Sequence, residues 1–259
     1  MISLTQKYTP ILSTPFGREG YRETAPCAAL APFVRCFWAD DHTSAREILV
    51  IPDTCMDIIL KIGKGGFFCG MDEASFYTVD RGTEMFGIRF YAWAAQLFSK
   101  RDFSETGGGR FELEELFDGA EKLICVTERT NSFKERAAAA EKWLLERLGG
   151  ICPDNDLLNA ADFIIAKHGA VRISDLSIHT AMSARTLERL FLKNMGVTPK
   201  AFSSLVRYQM LWQDMQRPGF NVMDAVEKFG YSDQPHLLND FRRRHLMNPR
   251  QAVEYAENL

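Results

Sequence analysis

Residues 222–251, VMDAVEKFGYSDQPHLLNDFRRRHLMNPRQ, decide how the chain is to be read. Val222, Ala225, Val226 and Phe229 recur at the three-and-four spacing of one helical face. Gly230 then supplies the residue type that accepts a left-handed backbone and so ends a helix. Ser232 is expected to cap the next helix, with Pro235 in its first turn, where a missing amide hydrogen leaves no bond unmade. In that second helix Leu237, Leu238 and Phe241 face inward, and Gln234, His236, Asn239, Arg242 and Arg243 face out. The stretch predicts two short helices about a tight turn, the second with a polar, basic outer side.

The same pattern stands upstream, in residues 171–199, VRISDLSIHTAMSARTLERLFLKNMGVTP. Ser174 is the expected cap of a first helix running to about Ala181, with Asp175 in its first turn, and Ser183 caps a second. That second helix carries Leu187, Leu190 and Phe191 on one face and Arg185, Thr186, Glu188 and Arg189 on the rest. Arg189 answers Asn239 and Phe191 answers Phe241, each 50 positions on. An arginine on a helix is most often a solvated surface group, and the Arg242-Arg243-Arg244 run alone would only complement a helix C-terminus. Repetition of the whole pattern is what reverses those odds. Between the copies, Pro199 to Gln216 reads as one continuous helix, about 27 Å long at ~1.5 Å per residue.

Outward from this region the texture changes twice. From Phe33 to Tyr91, short runs rich in Val, Ile, Phe and Tyr alternate with Gly, Pro and Asp, which predicts an antiparallel sheet or barrel. After Trp93 the segments AAQLFSKRDF, FELEELFDGAEKLI and NSFKERAAAAEKWLLERLGG are rich in Ala, Leu, Glu and Lys and read as helices. The last carries an apolar stripe of Phe133, Ala137, Ala140, Leu144 and Leu148 that must pack on its own sheet or on a second subunit. Gly149-Gly150 ends it and marks the best domain boundary. The expected fold is therefore α+β: a β-rich, barrel-like N-terminal domain with flanking helices (1–125), a helical dimerisation or linker segment (126–153), and an all-α C-terminal domain (154–259) with two helix-turn-helix units joined by a long helix.

The 259 residues suit two domains, and a 46% hydrophobic, 25% charged composition suits a folded, non-membrane protein. No run approaches the ~18–20 apolar residues of a membrane span, and MISLTQKYTP lacks a leader's basic and apolar regions, so a cytoplasmic protein is expected. The six cysteines form no C-x-x-C pair, which predicts neither a zinc site nor a disulfide framework, and no cofactor is expected. The net charge of −3 conceals a mild asymmetry, since 13 Lys+Arg face 11 Asp+Glu from Asn155 onward and the acidic excess lies before it. That balance permits nucleic-acid binding by the C-terminal part without arguing for it.

Residues 157–255 resemble the AraC/XylS family of bacterial transcription regulators. The resemblance rests on Leu176, Met182-Ser183, Thr186-Leu187, Arg189-Leu190-Phe191, Gly196 and Thr198-Pro199, and then on Gly230-Tyr231-Ser232-Asp233-Gln234, His236-Leu237, Asp240-Phe241-Arg242-Arg243 and Met247-Asn248-Pro249. Ala181 and Leu246 stand where glycine is usual, Pro235 where serine is common and Asn239 where arginine is common. The resemblance implies a non-enzymatic regulator that binds double-stranded DNA as a homodimer, with RNA polymerase as a further partner. Recognition helices fit the major groove, where Arg pairs with guanine O6 and N7 and Asn or Gln with adenine N6 and N7. Arg185 and Arg189, flanked by Thr186 and Glu188, and Gln234, His236 and Asn239 are the expected base readers. Arg242, Arg243 and Arg244 are the expected phosphate contacts. A rigid linking helix would set the two units about one DNA turn, ~34 Å, apart.

The resemblance also implies an N-terminal effector or dimerisation domain, commonly a small β-barrel. Residues 52–59 with Gly87-Ile88-Arg89-Phe90 look like the β domain of one branch of these regulators. Alternation places Cys55, Asp57 and Ile59 on one face of their strand, and Gly87, Arg89 and Tyr91 on one face of theirs. Asp57 and Arg89 either line a pocket for a small polar effector or form a structural ion pair between strands. Trp38 is a pocket wall or a core residue, and Cys55 is a weaker pocket candidate. The competing functions are an enzymatic N-terminal domain, for which no reactive-cysteine cluster is present, and a purely protein-interaction module.

Overall fold

The structure, a computed structural model, describes residues 10, 12, 20–71, 74–106 and 109–257. Six strands, β1 (Tyr21–Thr24), β2 (Val34–Asp41), β4 (Cys55–Lys61), β5 (Gly65–Cys69), β7 (Glu84–Tyr91) and β8 (Arg110–Glu112), make one sheet in the order β1-β2-β7-β4-β5-β8. The remaining two, β3 (Arg46–Val50) and β6 (Ser75–Val79), pair with each other as a separate ribbon. The sheet does not close into the expected barrel. Its edges are β1 and β8, of four and three residues, and the two strands that might have bridged them satisfy each other instead.

Strict alternation gives the sheet two working faces. Met56, Ile58 and Leu60 of β4 and Phe86, Ile88 and Phe90 of β7 are buried in the main core. Each such side chain contributes roughly 1.5–3 kcal/mol relative to exposure. Cys55, Asp57, Ile59, Gly87 and Arg89 lie on the opposite face, which the β3–β6 ribbon covers in part.

The region after Trp93 departs from the predicted helices. AAQLFSKRDF keeps only a 3-10 turn, Ala95–Phe98, because Lys100 N–H bonds to the Leu116 carbonyl and Phe103 N–H to that of Lys193, which pulls the backbone straight. FELEELFDGAEKLI divides into β8, α1 (Leu113–Leu116) and α2 (Ala120–Glu128), broken at Gly119 in the left-handed conformation. α3 (Phe133–Leu145) begins at its Ser132 cap and buries Ala137, Ala140, Trp143 and Leu144 against its own sheet, with Arg136 paired to Glu84 of β7.

Seven helices follow: α4 (Asn155–Ala166), α5 (Ile173–Thr180), α6 (Ala184–Met195), α7 (Pro199–Met215), α8 (Val222–Lys228), α9 (Gln234–His245) and α10 (Pro249–Glu257). Ser183 and Thr198 cap α6 and α7 through Thr186 N–H and Ala201 N–H. Two expected caps are corrected. Ser174 lies inside α5, which opens after Arg172 without a side-chain cap, and Asp233 rather than Ser232 accepts the His236 N–H at the start of α9. Ser232 instead reaches His236 Nδ1 at 3.1 Å. The hydrophobic core runs unbroken from the sheet through α3 into α4, α6, α7 and α9.

Candidate nucleic-acid interface and ligand cavity

The two helix pairs, α5–α6 and α8–α9, are built alike. Leu187 and Phe191 of α6, and Leu237 and Phe241 of α9, are fully buried and fix which side of each helix faces out. Arg185, Glu188 and Arg189 of α6 and Gln234, His236, Asn239, Arg242 and Arg243 of α9 are exposed, as expected. Among the described residues Arg185, Arg189 and Arg242 form no ion pair, so their guanidinium donors are uncommitted. Thr186 is half-buried and shares a 2.9 Å hydrogen bond with the capping Ser183 hydroxyl, which leaves it at the helix start rather than on the outer face.

Arg244 departs from its expected phosphate role. It turns inward, pairs with Asp240 at 3.3 Å and donates to Ser204 of α7 at 2.7 Å, so it clamps α9 to the linking helix. Arg243 is divided: its side chain is 71% exposed, yet Nη2 lies 3.0 Å from the same carboxylate. Asp240, buried, also accepts from the Tyr231 hydroxyl at 3.0 Å, and Arg207 of α7 covers the Tyr231 ring at 4.6 Å. Asp240 thus organises the second unit. Its place on the buried side, one residue before Phe241, was the sequence signal available for that role.

The second candidate site is a cavity of about 150 Å³ between the sheet and the β3–β6 ribbon. All four ligand candidates, Trp38, Cys55, Asp57 and Arg89, line it. Asp57 and Arg89 are register partners on β4 and β7, and both Arg89 Nε and Nη2 reach Asp57 at 3.2 Å. Trp38 Nε1 donates to Asp57 Oδ1 at 2.7 Å, the oxygen that also accepts from Arg89 Nε. The indole lies against Gly87, where an added Cβ would stand 2.0 Å from it, so glycine is required by contact rather than by backbone. Tyr91, expected on the same face, stacks on Trp93 in the main core.

The pair is therefore both structural and cavity-lining. Asp53 approaches Arg89 at 3.6 Å and accepts from Cys55 N–H at 2.7 Å. Burial raises the Asp53 pKa against the pull of Arg89. Burial opposes the charge on Arg89, and Asp57 with Asp53 more than offsets it, holding its pKa well above the ordinary value. The Cys55 thiol is pushed well up by burial and by Asp53, which keeps it protonated and unreactive. Sequence reasoning missed Tyr21, Phe67, Tyr77 and Arg110 around this cavity, because they come from four other strands that only the fold brings together, and it did not single out Asp53, two residues before Cys55.

A family model described as a helix-turn-helix domain matches residues 176–254, the span of the two helix pairs. Those residues are a helix-turn-helix domain. A second family model, described as a domain of unknown function (DUF6597), matches residues 22–111, which hold the sheet and the cavity. No curated protein matches the chain. Among solved structures, an AraC-type transcriptional regulator from Chromobacterium violaceum is 22% identical, with 40% of this chain and 93% of that one covered and a TM-score of 0.37. ToxT from Vibrio cholerae O395 is 8% identical over 93% of this chain and 100% of its own, with a TM-score of 0.43. Neither score reaches 0.5. Among the described residues no helix is long and apolar enough to cross a membrane, and no His, Cys, Asp and Glu group is placed to hold a metal ion.

Proposed function

We propose that the chain is an AraC-type transcription regulator that reads a specific DNA sequence with α6 and α9 and is controlled by a small molecule held in the N-terminal cavity. Residues 1–125 serve as the sensing part, 126–153 as linker or dimer helix, and 154–259 as the DNA-binding part. Arg185 and Arg189 read bases from α6, and Gln234, His236 and Asn239 read them from α9. Glu188 discriminates against phosphate-only approach, and Arg242 with Arg243 contacts the backbone. A homodimer would double the footprint, and RNA polymerase is the further partner of this reading.

One observation carries the reading: both α6 and α9 bury their apolar sides completely and leave a polar side whose arginines Arg185, Arg189 and Arg242 form no ion pair among the described residues. Selection of bound fragments from a random DNA library, with and without cell extract, tests it. An enriched motif with two half-elements about one helical turn apart is expected. Substituting Arg189→Ala should relax one base position and cost ~1–3 kcal/mol on the selected site. Equal weakening on every sequence would remove Arg189 from the base readers, and no enrichment at all would overturn the proposal.

A further inference from the structure

Resting on the reading of the cavity as an effector site, the cavity-lining Arg110 and Lys61, which faces the same two lining rings, narrow the chemistry of the effector. Lys61 ends β4 on the same face as Asp57 and Ile59, and its Nζ lies 5.8 Å from the Phe67 ring centroid and 5.0 Å from that of Tyr77. Arg110 opens β8, lines the cavity, and brings its Cζ to 5.0 Å from Phe67 and 5.3 Å from Tyr77. Two cations thus converge on the same two rings. Among the described residues neither forms an ion pair or a side-chain hydrogen bond, so no carboxylate among them lies within salt-bridge reach of either cation.

The deep end is the opposite case. Arg89 is closed off by Asp57 and Asp53, and the Trp38 N–H is taken by Asp57. Carboxylates of the protein already meet Arg89 there, and among the described residues its Nη1 makes no hydrogen bond. Between the two ends the wall is apolar, formed by Ile48, Val50 and Ile59 with the Phe67 and Tyr77 rings. A cavity of about 150 Å³ matches one that admits a single benzene ring.

We propose that the cavity takes a small acid: an apolar body of about one ring, with its anionic group held by Arg110 and Lys61. Arg110 supplies the planar fork suited to a carboxylate or a phosphate, and Lys61 adds a point charge. The Phe67 and Tyr77 rings hold both cations in place, the exposed Arg110 and the half-buried Lys61, so an incoming anion meets groups that are already ordered. An amine of the same size would meet two like charges, and a neutral analogue would leave them unrelieved.

Calorimetric titration of the full-length protein with benzoate, phenyl phosphate, benzyl alcohol and benzylamine tests the assignment. One of the two acids should bind at least tenfold more tightly than the alcohol, with the amine weakest, and the preferred acid tells carboxylate from phosphate. Arg110→Ala should weaken that acid tenfold or more and leave the alcohol and the melting temperature unchanged; Lys61→Met should weaken it by a smaller factor. Equal affinity for acid and alcohol, preference for the amine, no binding by any compound, or an unaffected acid in Arg110→Ala would each overturn the acid assignment. The effector reading itself fails separately, if a cavity-filling Ile59→Phe variant leaves the DNA response to cell extract unchanged.

Discussion

Gln209, fully buried in α7, donates its side-chain amide to the Pro52 carbonyl at 2.8 Å, across 157 positions of sequence. Two further bonds run the same way: Trp212 Nε1 donates to the Leu12 carbonyl at 3.1 Å, and Leu49 N–H donates to the Tyr255 hydroxyl at 3.3 Å. Leu12, Leu49 and Pro52 all line the cavity. Its wall is therefore hydrogen-bonded to α7 and α10 of the helix-turn-helix domain. Substituting Gln209→Leu takes this donor from a buried carbonyl and should cost about 1–3 kcal/mol in urea unfolding. An unchanged midpoint would mean that the carbonyl finds another partner at no cost.

Gly87 is the cavity's tightest contact. Gly87→Ala forces the Trp38 indole off its seat and away from Asp57, an overpacking change expected to cost about 1–3 kcal/mol. The same variant should lose affinity for whatever ligand the wild type binds. Thermal melting and calorimetry on one preparation check both, and a wild-type melting temperature would show that the indole is free to move.

Arg243 and Arg244 are neighbours with different expected behaviour. Arg243→Ala should leave folding nearly intact and reduce the slope of log affinity against log salt by about one unit. Arg244→Ala removes the clamp to Asp240 and Ser204 and should lower stability as well as DNA affinity. Salt titrations of binding together with melting curves separate the two, and interchangeable variants would contradict the geometry.

His245 supplies a pH dependence. Its ring is buried against Phe241 and Trp212, with Nδ1 2.8 Å from the Tyr208 hydroxyl, and burial lowers its pKa to about 4. The unfolded chain protonates this group near pH 6.5, before the fold does, so its contribution to stability is complete above that value and is lost as the pH falls toward 4. At pH 5 the loss is about 2 kcal/mol. Urea midpoints at pH 7.5 and 5 should differ by less in His245→Gln than in the wild type; an equal difference would assign the acid sensitivity elsewhere.

Ala181 and Leu246 hold left-handed backbone, at φ 55° and 58°, where each helix of its pair ends. A side chain there costs roughly 1–2 kcal/mol, offset in part by the entropy that glycine adds to the unfolded chain. Ala181→Gly and Leu246→Gly should each raise stability by up to about 1 kcal/mol in urea unfolding. A loss in either would show that the methyl or isobutyl group makes a compensating contact.

These two positions also show what was legible beforehand. Glycine was expected at both turns, and the backbone keeps the glycine conformation although the side chains have changed. The helix pairs could be read because their signals are local: Ser183, Gly230, Pro235 and the Leu187–Phe191 and Leu237–Phe241 spacings all act within a few residues. Alternation likewise set Asp57 beside Arg89. Ser174 and Ser232 misled because several capping residues stand in a row and packing selects among them. The stretch after Trp93 misled because bonds to Leu116 and Lys193, far along the chain, outweigh a weak helical preference. Closure of the sheet, the turning of Arg244 and the meeting of Lys61 with Arg110 depend on which strands and helices become neighbours, and no local pattern encodes that.

The three bonds from Leu12, Leu49 and Pro52 carry a thermodynamic corollary. If occupancy of the cavity changes operator affinity by some factor, the operator must change the occupant's affinity by the same factor. Protein sitting on its promoter and protein free in solution would then be two different receptors for one metabolite, so the concentration at which the switch turns would depend on how many binding sites the genome offers.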